Sequence, residues 1–183
     1  PGTPDARAGI EGALREPIGS SRLAEVVKPD AKVAIVVDDA TRPASSGVMV
    51  QALLDELNAA GVKDDDVTIV FACGMHRPVK PEEASELLGE EVLKRVKTVS
   101  HDSKAQDLVY AGETKKHGTK VYLNRVFAEA DVRILTGDVC FHYYAGYGGG
   151  RKSVLPAIAG EETIHHNHAM LLDPKAETGV LTG

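Results

Sequence analysis

The chain has 183 residues, 21 Lys+Arg against 27 Asp+Glu, and a formal charge of −6. Apolar residues at 43% and charged residues at 26% are ordinary for a globular domain and exclude wholesale disorder. The acidic balance argues against a nucleic-acid binder, and no uncharged apolar run approaches the roughly 18–20 residues that span a bilayer.

Two cysteines, Cys73 and Cys140, cannot build a disulfide framework and point to a reducing, cytoplasmic setting. No N-terminal stretch has the form of a signal sequence. The chain opens at Pro1 without Met and stops at Leu181-Thr182-Gly183, so the expectation is a single α/β domain over 1–183, excised from a longer polypeptide.

The first thirty residues predict two short helices. Thr3-Pro4-Asp5 starts one that runs through Leu14, and Ser20 or Ser21 caps a second through Val27. Lys32 to Val37 is β-branched and apolar on both faces, as a strand covered by helices on both sides would be. It ends in Asp38-Asp39. Ser45/Ser46 begin a helix through Leu57 that Gly61 ends. A second buried-type strand, Val67 to Ala72, leads into Gly74-Met75-His76-Arg77-Pro78.

Pro81 to Leu88 reads as a helix and Val96 to Val99 as a short strand running into Ser100-His101-Asp102. Leu108 to Ala111 and Lys120 to Leu123 flank a polar turn and predict an antiparallel hairpin near 107–123. Asn124 caps a short helix to Ala130, and a third strong strand, Val132 to Leu135, leads to Gly137-Asp138 and His142. A Gly-rich stretch at 146–150 follows, expected to be mobile for want of packing, then a helix from about Glu162 to Leu172. The fold class is therefore α/β, a mostly parallel Rossmann-like sheet with flanking helices.

Ligands of such sheets bind beyond the carboxyl ends of the strands. Those ends carry Asp38-Asp39, His76-Arg77, His101-Asp102 and His142, which is where chemistry is expected. Asp39 is an acceptor, and the planar fork of Arg42 suits a carboxylate or phosphate, although Asp, Thr and Pro also make ordinary turns. His76 and His142 follow equivalent strands and form a candidate acid–base pair. Gly148, Gly149 and Gly150 precede Arg151-Lys152 but do not make a Walker loop, which needs Gly directly before its Lys. An anion approached by the glycine backbone and by Lys152 remains the expectation. His165 and His168 share a helix face without any zinc pattern, and a solvated polar face explains His165 and His166 as well. Three of the five tyrosines, Tyr143, Tyr144 and Tyr147, crowd together in a chain only 4% aromatic.

Taken together, VDDATRP (37–43), CGMHRP (73–78), SHD (100–102), GYGGGRKSVLPAIAG (146–160) and ETIHHNH (162–168) resemble the nickel-pincer lactate racemase family. The likeness runs in order from about Lys32 to Asp173 and implies most of that family's N-terminal domain, without the C-terminal domain. It implies a pyridinium mononucleotide whose sulfur groups hold nickel in a pincer, anchored at Lys152 as a thioamide where the link is covalent. His168 would complete the nickel coordination, and His76 and His142 would be the two acid/bases. Asp39 and Arg42 would lie beside cofactor and substrate, with Arg42 clamping the carboxylate of a 2-hydroxy acid. The implied partners are that small acid, cofactor maturation proteins and the C-terminal domain, with no nucleic acid and no membrane. Ala157 stands where the family more often has Gly. A nucleotide-binding regulatory module, or a metal-dependent hydrolase, would each need only some of these residues.

Overall fold

A computed structural model describes residues 5–42 and 46–181. Thr3 and Pro4 of the first start signal, Pro43 of the Asp-Arg motif and Ser45 lie outside the described residues. The chain opens with α1 (Ala6–Arg15) and α2 (Leu23–Val26). Asp5 caps α1 by accepting a hydrogen bond from the Ala8 N–H, whereas Arg22, not a serine, sits at the start of α2 without a side-chain cap.

Three parallel strands and three intervening helices follow: β1 (Val33–Asp38), α3 (Ser46–Ala59), β2 (Val67–Ala72), α4 (Pro81–Leu88), α5 (Glu90–Arg95) and β3 (Lys97–Ser100). The sequence reading has no counterpart for α5. Its Glu90, Glu91, Lys94 and Arg95 leave Val92 as its only buried residue, too weak an apolar stripe to show in the sequence.

Beyond them come the antiparallel hairpin β4 (Val109–Glu113) and β5 (Lys120–Leu123), then α6 (Arg125–Glu129) and β6 (Val132–Leu135). Asn124 caps α6 by accepting from the Phe127 N–H. A two-residue pair, β7 (Phe141–His142) and β8 (Gly146–Tyr147), precedes α7 (Glu161–His168). The last helix is shorter than its expected reach to Leu172, because residues 169–172 tighten into a 3₁₀ turn.

The sheet has the order β3-β2-β1-β6, all parallel, with Val36 of β1 facing Val70 of β2 and Leu135 of β6. Val33, Ile35, Val37, Ile69 and Phe71 face α3–α5 and bury Leu54, Leu57 and Leu88 among them. The alternate residues Ala34, Val36 and Val70 face the other way, onto Phe127, Ala130 and Ile158. Period-two alternation explains why β1 is apolar throughout: each face has its own cover. The chain leaves β1 toward β2 on one side and returns as β6 on the other. The carboxyl ends of β1 and β6 thus diverge at a topological switch point, where open α/β sheets form their crevice.

Candidate functional site

A cavity of about 800 Å³ opens at that switch point. The end of β1 lends it Asp38, Asp39, Thr41 and Arg42, and the loop after β2 lends Cys73 to His76. The chain beyond β6 supplies Asp138, Cys140, His142, Tyr144, Gly148 and Gly149, and the last segment supplies Lys152, Ser153 and His168. Every residue singled out in the sequence as catalytic, substrate-binding or metal-binding lines this one space. Gly150 does not; it is exposed in a short 3₁₀ turn.

Asp39 is buried while the His76 side chain is 52% exposed, so the carboxylate is the fixed partner. Its Oδ2 lies 2.7 Å from His76 Nδ1, and its Oδ1 accepts from both the backbone N–H and the hydroxyl of Thr41. A carboxylate only accepts, so Nδ1 carries the hydrogen and the Nε2 lone pair of neutral His76 stays free. His76 is held in place from behind as well, its N–H donating to the Cys73 carbonyl.

His142 is arranged the opposite way. The Ala145 N–H donates to its Nδ1 at 3.3 Å, which puts the hydrogen of the neutral ring on Nε2. Tyr143 stacks on the ring and Tyr144 meets it edge-on, with centroids 4.9 and 4.6 Å away. Burial depresses its pKa, reinforced by Lys152, Arg42 and His168, so near neutral pH the imidazole is held uncharged.

Lys152 is half-buried, with its Nζ 5.6 Å from the centre of the Tyr144 ring. Burial lowers its pKa, helped by Arg42 and opposed by Cys140, which favours the nucleophilic amine. The ring of Tyr144 acts against that trend by attracting a cation. Ser153 fixes the segment by donating to the Thr136 carbonyl, and Thr136 in turn donates to Val36 of β1. His168, also depressed by burial and then by Lys152 and His165, meets Tyr144 edge-on at 5.8 Å.

Two sets of backbone ties bring the last segment to the strand ends. The Gly74 N–H donates to Ala157, the Asn124 N–H to Ile158, and the Gly160 N–H to Tyr122. The Thr163 hydroxyl donates to the Lys120 carbonyl and accepts from the Tyr122 N–H, pinning α7 against β5 with His168 at its end.

Several sequence expectations need correction. His101 does not face the crevice: it is buried, and its Nε2–H donates to the Ala159 carbonyl. Arg77 turns away to pair with Glu83. His165 and His166 agree with the solvated polar face the sequence allowed, both being exposed, with His166 bonded to Thr119 through Nδ1. The Gly-rich stretch is not short of packing. Gly146 and Gly149 have φ of +79° and +71°, and a Cβ on Gly149 would lie 2.5 Å from the Asp138 carbonyl oxygen. These glycines let two chain segments touch, while Gly148 and Gly149 also line the cavity.

The sequence placed Asp38 at a strand end and Tyr144 in a tyrosine cluster but gave neither a role of its own. Burial pushes the Asp38 carboxyl up, with the Asp138 N–H acting the other way. Tyr144 touches His142, His168 and Lys152 at once, and the crowding of tyrosines in an aromatic-poor chain was its signal.

The profile of the family described as the lactate racemase N-terminal domain matches residues 1–179. The chain is 34% identical over 174 residues to the lactate racemase of Thermoanaerobacterium thermosaccharolyticum, covering 94% of this chain and 41% of that protein. Against the lactate racemase of Lactiplantibacillus plantarum the identity is 37% over 175 residues, with the same coverage. The solved apoprotein from T. thermosaccharolyticum superposes with a TM-score of 0.89 at 32% identity, over 95% of this chain and 42% of that one. A Thermotoga maritima crystal structure superposes at 0.77 and 25% identity, over 100% and 46%. The chain thus spans about two fifths of the length of the curated relatives it matches.

Proposed function

The chain belongs to the family of the lactate racemase N-terminal domain, and on that premise we propose that it supplies the cofactor-holding and proton-transferring half of a 2-hydroxy-acid racemase. Lactate or a related acid is the substrate class, and the hydroxyl-bearing carbon is the one inverted. The observation that carries the reading is a single cavity holding an Asp39-backed His76, an oppositely polarised His142, an amine and a further imidazole.

The donor set fits the group that the family implies. Among the described residues no three His, Cys, Asp or Glu side chains are grouped to hold a metal by themselves. One imidazole, His168, beside one half-buried amine, Lys152, is the protein's share of a site whose other donors come from an organic ligand. Lys152 would anchor the sulfur-bearing pyridinium mononucleotide, His168 would bind its nickel, and Gly148 and Gly149 would wall it. Bound there, the group supplies the hydride acceptor that no side chain provides.

The chain's own residues do the rest. Arg42 holds the substrate carboxylate and so fixes the point about which the planar 2-keto acid turns. His76 takes the hydroxyl proton at Nε2 while its Nδ1–H stays on Asp39, which stabilises the imidazolium that forms. His142 exchanges the proton on the opposite face; for it to accept, its hydrogen must move to Nδ1 and the 3.3 Å bond from Ala145 must break. The remaining length of the relatives corresponds to a second domain that would cover the open side of the cavity.

Co-production of this chain with cofactor maturation proteins, followed by intact-mass and nickel analysis, tests the assignment. A mass increment together with nickel is expected, with the increment lost in Lys152→Ala. An adduct that persists in Lys152→Ala contradicts the anchor.

A further inference from the structure

His101, just past the end of β3, is 1% exposed and does not line the cavity. A buried imidazole is costly unless its polar atoms find partners, and here each does. Its backbone N–H donates to the Phe71 carbonyl of β2, and its Nε2–H donates to the Ala159 carbonyl at 2.9 Å. Nδ1 lies 3.5 Å from the side-chain nitrogen of Asn124. That amide has one orientation, because its Oδ1 accepts from the Phe127 N–H to cap α6. It turns an N–H toward Nδ1, so the ring is neutral with its hydrogen on Nε2. Burial favours the same state. Asp102 opposes it, and the Cys73 thiol, which meets the backbone N–H of His101, is the other titratable group against it.

The stretch that His101 grips joins Lys152 to His168, and two bodies meet there. α7, with His168 at its end, is fixed to the β4–β5 hairpin by Thr163 and by the Gly160 N–H on Tyr122. Lys152 is fixed instead to the sheet, because Ser153 donates to Thr136 and Thr136 to Val36 of β1. The sheet ends reach the α7 body through three hydrogen bonds: the Gly74 N–H to Ala157, the Glu161 N–H to Ser103, and His101 to Ala159. The first two are backbone to backbone; His101 contributes a side chain. Ile158 also packs on Ala34, Val36 and Val70, but apolar contact has no direction and leaves the register to the hydrogen bonds.

We infer that His101 is a positioning residue for His168: held neutral between Asn124 and Ala159, it sets where the α7 body sits against the sheet ends. Protonation breaks the arrangement, since an Nδ1–H then faces the Asn124 N–H donors. Either the ring leaves Ala159 or the amide turns over and uncaps α6. The inference rests on the racemase reading only in the roles given to Lys152 and His168. That reading fails on a separate observation, unimpaired turnover after loss of His76.

Nuclear Overhauser contacts of the Tyr144 ring in the chain free of cofactor read this geometry, since the ring touches Lys152 and His168 at once. In His101→Leu the contact to His168 is expected to be lost and that to Lys152 kept. His101→Gln, which has a donor for Ala159, is expected to keep both. Asn124→Asp separates the charge of the ring from its grip: the carboxylate still caps α6 and accepts from Nδ1–H, so a charged His101 stays on Ala159. As pH falls below the ordinary histidine value of about 6.5, the unsubstituted chain is expected to lose the His168 contact and Asn124→Asp to retain it. Both chains carry the same His168, so its own protonation cancels, and this comparison decides if His101→Leu does not fold. Loss of the His168 contact from both chains in acid, its survival in both, or its survival in a folded His101→Leu overturns the inference.

Discussion

The layer of α3–α5 against the sheet and the segment from β6 to the chain's end are built by different means. The first is held by whole apolar side chains: Ile35, Leu54, Leu57, Ile69 and Leu88 are almost fully buried, each burial worth about 1.5–3 kcal/mol. The second has strands of two residues, 3₁₀ turns and glycines in tight contact, held mainly by single hydrogen bonds to strand ends. Yet the second carries His142, Lys152 and His168, while the first ends in Asp39 and His76. The first layer supplies most of the apolar core and two of the cavity's polar residues, and the second supplies the other three. They share the β1–β6 pairing, and their polar residues converge at the switch point.

The largest effects should separate along that line. Leu54→Ala in the helical layer should cost about 2–5 kcal/mol, measured by denaturant unfolding. His76→Ala, whose half-exposed side chain partners the buried Asp39 carboxylate, should cost only about 1 kcal/mol. In the complete enzyme the same substitution should lower turnover by about 10²–10⁴-fold. Equal stability costs for the two would erase the division.

Gly149→Ala should fall between them. A positive φ and a Cβ 2.5 Å from a carbonyl oxygen cost about 1–3 kcal/mol, with hydrogen exchange rising around 138–150 and little change in the α3–α5 layer. Exchange that rises uniformly would show one cooperative unit instead.

A pH effect sharpens the boundary, because His101 sits on it. Burial depresses its pKa, so the unfolded chain binds the proton first. Stability should be level above the ordinary histidine value of about 6.5 and should fall as pH drops through it, by up to about 1.4 kcal/mol per unit per proton. His142 and His168 are depressed too and add the same sign. His101→Gln, which keeps a donor for Ala159, should flatten part of that slope in thermal melts. An unchanged slope would place the sensitivity elsewhere.

The smallest effect is the tautomer contrast. Nitrogen-15 shifts of the neutral rings should report hydrogen on Nδ1 of His76 and on Nε2 of His142. The same tautomer in both would remove the asymmetry between the two faces.

The division also explains what the sequence made legible. Long strands and helices such as β1, β2 and α3 announce themselves through apolar runs and turn residues, and their positions agree with expectation. The strand ends located the cavity for the same reason, since the fold dictates it. His101 and Arg77 were misplaced because strand-end position does not state which way a side chain turns: a carbonyl at Ala159 captures one and Glu83 the other. The packing of the glycines was hidden for a related reason. Local composition cannot distinguish a glycine left open for a ligand from one pressed against Asp138. Tyr144 is invisible to periodicity because its three contacts come from β7, from the 3₁₀ turn after Gly149 and from α7.

The most direct measurement of the central assignment reads nickel content and turnover together in the complete, cofactor-matured enzyme carrying this domain. His76→Ala and His142→Ala should keep the nickel and lose racemisation, whereas His168→Ala should lose the nickel itself. Loss of nickel from the first two variants, with full retention in the third, would contradict the roles assigned to this cavity.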